Sequence, residues 1–438
     1  MKGLFFHLAD TLSASLAAGE TLLASFHGER SDFVRFNHGK VRQAGSVEQR
    51  FVSLRLVRAR RQASAGVTLA GHEEDGETLG AMLVRLREAL ARLPEDPWLL
   101  INENPQSTSS ERRGRLAPAE DIVEAVTEKA EGTDLVGFYA GGTIYRGFAS
   151  SLGQRNWHEA DSFNLDWSLY REGDQAVKTG YAGFEWEETQ FAQKLEEAAR
   201  DLQLLGKERR TLEPGEYRAY LAPRAMEELA GLLSWGGFSA RSRATKQSPL
   251  LRMQEGQLLS PKLSLSENTA QGVAPEFQSD GFVKPARIPL IGGGKLEQAL
   301  VSPRSAKEYG LETNAANGGE SPESLDMAAG DLATGEALAA LDEGLYVSNL
   351  WYLNFSDRPA GRITGMTRFA TFWVEGGRIV APVTPMRFDD SIYRMLGENL
   401  LALTREREFL LDPSTYGERS TASACLPGAL LRALRFTL

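Results

Sequence analysis

Hydrophobic and polar residues follow two different periods along the first half of the chain. Leucines recur at every fourth position in residues 3–18, which predicts a helix. After the turn signal Asn37-His38-Gly39-Lys40, alternating residues such as Val52 and Leu54 predict a strand in an antiparallel meander with one polar face. The polar residues 102–115 predict a loop. Further helices are predicted over residues 75–93, 118–130 and 189–205.

A polar stretch at residues 206–215 separates this pattern from a second set of predicted elements. A helix over residues 223–234 begins at a proline, which is favoured in the first turn. Strands are predicted over residues 217–221, 344–355, 368–374, 378–383 and 430–438. We therefore predict an α+β protein of two domains, with the first over residues 1–206 and the second over residues 207–438.

Composition excludes several classes of protein. The 438 residues carry 49 basic and 59 acidic side chains, and the net charge of -10 argues against nucleic acid or an anionic membrane as the main partner. We find no run near the roughly 18 apolar residues of a membrane span, and Asp10 interrupts the apolar N-terminal patch that a secretory signal would need. A cytoplasmic location is therefore expected.

Histidine and cysteine are scarce, and this limits the possible chemistry. Cys425 is the single cysteine, and the five histidines all lie within the first 158 residues. A cluster of thiolates cannot hold zinc in such a chain, and a zinc motif based on histidine cannot be built within its second half. A nucleophilic role for Cys425 would need a nearby base, so a buried, unreactive thiol is the preferred interpretation.

Three further motifs have structural explanations that we prefer. Ile291-Gly292-Gly293-Gly294-Lys295 lacks the spacing and the hydroxyl of a phosphate-binding loop, so we predict a tight hairpin turn. Glu227 and Glu228 are adjacent on the predicted helix and point about 100° apart, so they cannot chelate one ion together. The loop Asn317-Gly318-Gly319 could line a ligand groove or form a plain turn, and the residues alone favour the turn.

The order of several segments resembles the TldD/PmbA family, once described as modulators of DNA gyrase. Asp32-Phe33-Val34-Arg35-Phe36-Asn37-His38-Gly39-Lys40-Val41 is similar to the family's early hairpin. Residues 305–314 with Asn317-Gly318-Gly319 resemble a block of its second domain, and Gly344-Leu345-Tyr346-Val347-Ser348-Asn349 resembles a later strand. The resemblance implies an N-terminal α/β domain joined to a C-terminal mixed domain with a curved, barrel-like sheet. It also makes Asn317, Gly318, Gly319 and Asn349 candidates for lining a substrate cavity or partner groove.

The family that this chain resembles has two arms. TldD-type members resemble zinc metallopeptidases that carry His-Glu-x-x-x-His on a helix and a later cysteine as third ligand. The corresponding helix here, Ala225-Met226-Glu227-Glu228-Leu229-Ala230-Gly231, contains no histidine, and the family's ligand cysteine falls near Arg419 rather than Cys425. The chain therefore resembles the PmbA/TldE arm, as does Ser234-Trp235-Gly236-Gly237 after the helix.

For function, the resemblance implies a metal-free and non-catalytic subunit of a heterodimeric intracellular peptidase. Its partner would be a TldD-type zinc subunit and its substrate an unfolded peptide, with no cofactor in this chain and no direct contact with nucleic acid or membrane. A homodimer is possible when the chain is alone. Two alternatives stay open: an independent peptidase or hydrolase with an unrecognised site, and a binding protein that modulates gyrase.

Overall fold

Two β-sheets organise the computed structural model, which describes residues 1–72 and 74–437. The first sheet is mainly antiparallel and contains the strands of the first half of the chain. The second sheet is mixed and contains the strands that follow residue 214. Helices pack against both sheets, which confirms the predicted α+β class.

The first half begins with helices and a long β-hairpin. Its elements are α1 (Lys2–Ala14), β1 (Thr21–Asn37), β2 (Lys40–Arg58), β3 (Arg61–Thr68), α2 (Glu74–Leu90), β4 (Thr108–Arg112), α3 (Ala119–Lys129), β5 (Asp134–Ser150), β6 (Arg155–Tyr170), β7 (Ala176–Gly183) and α4 (Glu188–Leu205). The sheet order is β3-β2-β1-β5-β6-β4, with β7 also paired to β6. α1 and α2 pack on one face, where the rings of Phe5 and Trp157 each contact Phe26 at centroid distances of 5.4 Å.

The second half holds the larger sheet. Its strands are β8 (Gly215–Leu221), β9 (Leu265–Glu267), β10 (Ile288–Gly292), β11 (Lys295–Leu296), β12 (Ser324–Met327), β13 (Gly344–Asp357), β14 (Arg362–Glu375), β15 (Arg378–Pro382), β16 (Arg387–Ser391), β17 (Leu400–Leu411) and β18 (Ser423–Phe436). Its helices are α5 (Pro223–Ser234), α6 (Ala240–Ala244), α7 (Leu251–Gln254), α8 (Pro303–Tyr309) and α9 (Ala337–Leu341), with a 3₁₀ turn (Thr334–Glu336) and a π-helical turn (Arg394–Glu398).

The strand pairings of the second sheet place α5 over its core. The order is β11-β10-β9-β12-β18-β16-β14-β13-β8, and β8 also pairs with β18. α5 buries Met226, Leu229 and Leu233 in the largest apolar core of the molecule. The predicted barrel-like closure of this sheet stays a prediction, as does the domain boundary at residues 206 and 207. Of the helices in the described part of the chain, none is long and apolar enough to cross a membrane.

Most predicted elements are present, and the differences lie at their ends. α1 ends at Ala14 rather than residue 18, and Gly19 beyond it adopts a φ of 79°. The prediction of a loop over residues 102–115 is wrong at residues 108–112, which form β4 and pair in parallel with β6. β10 and β11 form the predicted tight hairpin around Gly293 and Gly294. The predicted last strand begins earlier, in β18, and its final residue lies outside the described part of the chain.

Candidate functional site

One face of β1 is polar where it approaches the second half of the chain. Alternate side chains of a strand share a face, so Ser25, His27, Glu29 and Ser31 lie together, opposite the buried Phe26. A cavity of about 690 Å³, called the shared cavity below, opens over His27 and is also lined by residues of the second half. The lining includes Ser25, His27, Arg146, Asn317, Gly318, Glu418 and Arg419.

Residues 412–422, called the bridging segment below, cross from the second sheet to this polar face. The two oxygens of the Glu418 carboxylate contact different residues of the first sheet. Oε1 lies 3.0 Å from His27 Nδ1, and Oε2 lies 3.2 Å from Arg146 Nη2. Burial favours the neutral form of Glu418, but the hydrogen bond from His27 and the charge of Arg146 hold its pKa below the ordinary value. The Gln49 amide also donates to the carbonyl of Gly417, at 2.7 Å.

Arg419 anchors the bridging segment in the first sheet. Its side chain is buried and donates to the carbonyls of Gly142 at 3.0 Å and Ser162 at 2.6 Å, and to the Ser162 hydroxyl at 2.8 Å. These acceptors are neutral, and burial lowers the pKa of Arg419 to about 10. The position near which the resemblance places a ligand cysteine therefore holds a buried guanidinium that is bonded to the first sheet through both of its terminal nitrogens.

A second cavity lies against α5 and is called the α5 pocket below. It has a volume of about 400 Å³ and shares Asp412 with the shared cavity. Its further lining includes Asp166, Lys178, Arg224, Glu227, Glu228, Gly231, Trp235 and Leu353. The pocket therefore joins α5 to strands β6 and β7 of the first sheet.

Arg224 is the central charge of the α5 pocket. Its guanidinium lies 3.4 Å from Glu227, 3.8 Å from Glu408 and 3.9 Å from Asp166. Gly180 on β7 makes room for it, because a Cβ at that position would collide with the guanidinium. The Glu227 carboxylate therefore has a specific partner in Arg224. Burial nevertheless raises the pKa of Glu227 above its ordinary value.

The predicted site residues do not all meet. Asn317 and Gly318 line the shared cavity, whereas Gly319 is absent from its lining. The left-handed residues of this loop are Ala315 and Glu320, with φ of 61° and 53°, rather than Gly318 or Gly319. Asn349 is buried on β13, where its Oδ1 accepts from the Ser348 hydroxyl at 2.8 Å. A functional role for these four residues stays a prediction.

Sequence reasoning missed the charged residues that dominate both cavities, namely His27, Arg146, Arg224, Glu418 and Arg419. One signal was available in the sequence of β1, where polar residues occupy every second position from Ser25 to Ser31. Such alternation marks a hydrated face, but it does not indicate what lies opposite. The partners of these residues come from distant parts of the chain.

Three solved structures share this fold over almost the full length of the chain. A protein from Thermotoga maritima MSB8, provisionally named a modulator of a DNA gyrase, has a TM-score of 0.78 at 15% identity and covers 99% of this chain and 100% of its own. TldE from Thermococcus kodakarensis has a TM-score of 0.77 at 14% identity, and the match covers 99% of this chain and 100% of TldE. A protein from Bacteroides thetaiotaomicron VPI-5482 is also provisionally named a modulator of DNA gyrase. It has a TM-score of 0.76 at 16% identity, and the match covers 100% of this chain and 98% of that protein.

The sequence comparison identifies the family. Residues 214–437 match the family described as the PmbA/TldA metallopeptidase C-terminal domain, which is more than half of the chain. No curated protein matches the sequence. The chain belongs to the PmbA/TldD family of metallopeptidase-type proteins, and the resemblance found in its sequence motifs is confirmed.

The residues at α5 do not fit a zinc ion. The α5 pocket supplies carboxylates and cations, without an imidazole or a thiolate in its lining. Cys425 lies elsewhere, on β18, where burial raises the pKa of its thiol. Across residues 1–72 and 74–437, no group of three or more His, Cys, Asp or Glu side chains is placed to hold a metal ion.

Proposed function

We propose that this chain is the metal-free, non-catalytic subunit of a TldD/TldE-type heterodimeric metallopeptidase. The observation that carries the proposal is the guanidinium of Arg224, which lies among three carboxylates beside α5. In the metallopeptidase arm, the resemblance places zinc ligands on this helix. A buried cation that already pairs with Glu227, Glu408 and Asp166 opposes binding of a second cation there.

Unfolded peptide is the proposed substrate of the heterodimer. The family membership and the fold of TldE support this assignment at the level of the family. We propose that the chain has two domains, residues 1–206 and 207–438, with the shared cavity between them. We also propose a cytoplasmic location. A cavity of about 690 Å³ accommodates a few side chains of an extended peptide and excludes a folded domain.

The test compares the chain alone with the chain plus its partner. The partner is the chain of the same genome that carries His-Glu-x-x-x-His on the equivalent helix. We expect the lone chain to hold no stoichiometric metal and to leave an unfolded peptide intact. The mixture should cleave the peptide, and a chelator should stop the cleavage. Cleavage by the lone chain that a chelator abolishes would overturn the proposal.

A gyrase-binding role is the second candidate, because two of the similar structures carry that provisional name. The net charge of -10 disfavours direct contact with DNA. Purified gyrase and duplex DNA should therefore be tested as separate ligands. Tight, salt-sensitive binding of the lone chain to either one would favour this candidate over the peptidase subunit.

A further inference from the structure

Four arginines converge on another cavity, which lies in the second half of the chain. This cavity has a volume of about 290 Å³ and is called the arginine pocket below. Its arginines are Arg252 on α7, Arg362 on β14, Arg394 in the π-helical turn and Arg435 on β18. Among the described residues, none lines both this pocket and either the shared cavity or the α5 pocket. The proposed peptide-binding role therefore does not account for it.

Two of the four guanidinium groups have no partner within the described part of the chain. Arg252 and Arg362 are exposed, and there neither side chain forms an ion pair or donates a hydrogen bond. Arg394 and Arg435 share one carboxylate oxygen, because Glu216 Oε1 lies 2.9 Å from Arg394 Nη2 and 3.0 Å from Arg435 Nη2. Like charges repel, so an anion that enters the pocket lowers the repulsion among these groups.

The aspartates of the arginine pocket bind other groups. Asp390 is buried and accepts two backbone N–H groups, at 2.7 and 3.1 Å. Asp389 pairs with Arg387, a fifth arginine, at 3.1 Å. Asp357 accepts the backbone N–H of Ala360 at 3.1 Å. These carboxylates hold the local structure, and none of them forms an ion pair with either of the two unpaired arginines.

The number of unpaired guanidinium groups indicates the charge of the ligand. A carboxylate carries one negative charge and neutralises only one of Arg252 and Arg362. A phosphate monoester carries up to two negative charges and three acceptor oxygens, since its second pKa is about 6. Arginine binds phosphate oxygens well, because its planar fork of N–H donors matches their geometry. Pockets for drug-sized ligands measure roughly 300–1,000 Å³, so the arginine pocket fits a small phosphorylated ligand.

We infer that the arginine pocket binds a phosphate dianion, either as inorganic phosphate or as the monoester of a small organic molecule. Arg252 and Arg362 supply the two positive charges that the dianion neutralises. The Ser391 hydroxyl also lines the pocket; its oxygen accepts the backbone N–H of Arg394 at 3.2 Å, which leaves its proton for the ligand. This site goes beyond the proposed peptidase role and does not depend on it.

Calorimetric titration of the purified full chain tests the inference, with inorganic phosphate and glycerol phosphate as separate probes. We expect saturable binding of one anion per chain at pH 8. Tighter binding of glycerol phosphate identifies the ligand as a monoester, whereas equal or tighter binding of inorganic phosphate identifies free phosphate. Glycerol phosphate should bind more weakly at pH 5, where it is a monoanion. Sulfate stays a dianion and controls for titration of the aspartates, so an equal loss for sulfate would overturn the requirement for a dianion.

Arg362→Gln is the decisive variant. Its guanidinium bonds to no other group in the described part of the chain, so the thermal midpoint without ligand should stay the same or rise. Binding of the anion should weaken on the order of 10-fold or more, because a charge-assisted hydrogen bond is lost. Arg252→Gln is the second variant and should weaken binding similarly, although its guanidinium also lies 5.8 Å from the ring centroid of Tyr393. Arg432→Gln, an exposed change on β18 outside the pocket, is the control.

The outcomes decide the inference without reference to the peptidase. Weakened binding by Arg362→Gln and Arg252→Gln, with Arg432→Gln unchanged, supports the arginine pocket as the phosphate site. Binding that neither pocket variant weakens overturns it, because the anion then lies elsewhere. The absence of saturable binding of either probe up to about 10 mM also overturns it. The peptide-cleavage assay of the proposed function is independent of each of these results.

Discussion

At the scale of single residues, burial shifts the pKa of two side chains that lie where the halves of the chain meet. Asp201 on α4 has its pKa raised to about 6 by burial and by the nearby charge of Glu197. His158 on β6 is buried and has its pKa lowered to about 4. Its Nδ1 accepts from Ser110 and its Nε2 donates to the Val273 carbonyl, at 2.9 and 3.0 Å. Burial disfavours the charged form of each group.

Replacing Asp201 by asparagine should stabilise the protein at alkaline pH. The folded state raises this pKa from 3.8 to about 6, so the cost of the charge is absent below pH 3.8 and complete above pH 6. Asp201→Asn should raise the free energy of unfolding by at most about 3 kcal/mol at pH 8 and hardly at all at pH 3.5. Urea denaturation at both pH values measures this, with the exposed Glu196→Gln as control. Equal effects at both pH values would contradict the assignment.

His158 should give a pH dependence of the opposite sign. Its folded pKa lies below the ordinary 6.5, so its contribution is complete above pH 6.5 and is lost as the pH falls to about 4. The wild-type chain should lose about 3 kcal/mol of stability over this range from this group. His158→Gln should flatten the dependence of the free energy of unfolding on pH. His7→Gln, which changes an exposed residue on α1, should leave that dependence unchanged. Denaturation midpoints at half-unit pH steps provide the comparison.

At the scale of secondary-structure elements, the sequence was informative wherever one face is apolar. The predicted helix 223–234 matches α5, because Met226, Leu229 and Leu233 give it a continuous apolar stripe. β4 was missed, since Thr-Ser-Ser-Glu-Arg has no apolar alternation and its position depends on pairing with β6, nearly fifty residues later. Pairing between distant segments leaves little trace in a single sequence window.

The packing of β7 against α5 depends on one glycine. Gly180→Ala should displace the guanidinium of Arg224 from its carboxylates, because the added methyl group occupies the same space. We expect a loss of about 2 kcal/mol or more in the free energy of unfolding. Gly183→Ala on the same strand is the control, since its added Cβ would lie at an ordinary 3.6 Å from Phe163. Equal stability of the two variants would show that Arg224 can relocate without cost.

At the scale of the whole molecule, the bridging segment ties the two sheets together through polar contacts. Arg419 and Glu418 reach the first sheet from the second half, and Arg55 on β2 binds Asp280 in return. These contacts surround the shared cavity, so the same interactions set the separation of the sheets and the shape of the cavity. The halves are therefore joined by these charged contacts and also by apolar clusters that span both sheets, such as the one that packs Phe191 on α4 against Ala370 and Phe372 on β14.

Truncation of Arg419 should loosen this connection. Arg419→Ala removes the donor that the guanidinium supplies to the carbonyls of Gly142 and Ser162, and we expect a loss on the order of 3 kcal/mol in the free energy of unfolding. Chymotrypsin should also cleave faster after Tyr416, which is fully exposed in the bridging segment. Arg432→Ala, an exposed change on β18, is the control. Unchanged cleavage and stability in Arg419→Ala would assign the anchoring to other contacts.

The sequence by itself determined the α+β class, the main helices, the family motifs and the absence of histidine from α5, since all of these depend on local pattern or residue identity. Only the tertiary structure decided which polar groups meet. His27 and Glu418 lie 391 positions apart and are in contact at 3.0 Å. Alternation shows that β1 has a polar face, but the partner of that face follows from the packing of two sheets. Arg224 became central in the same way, because Asp166 and Glu408 reach it from other strands.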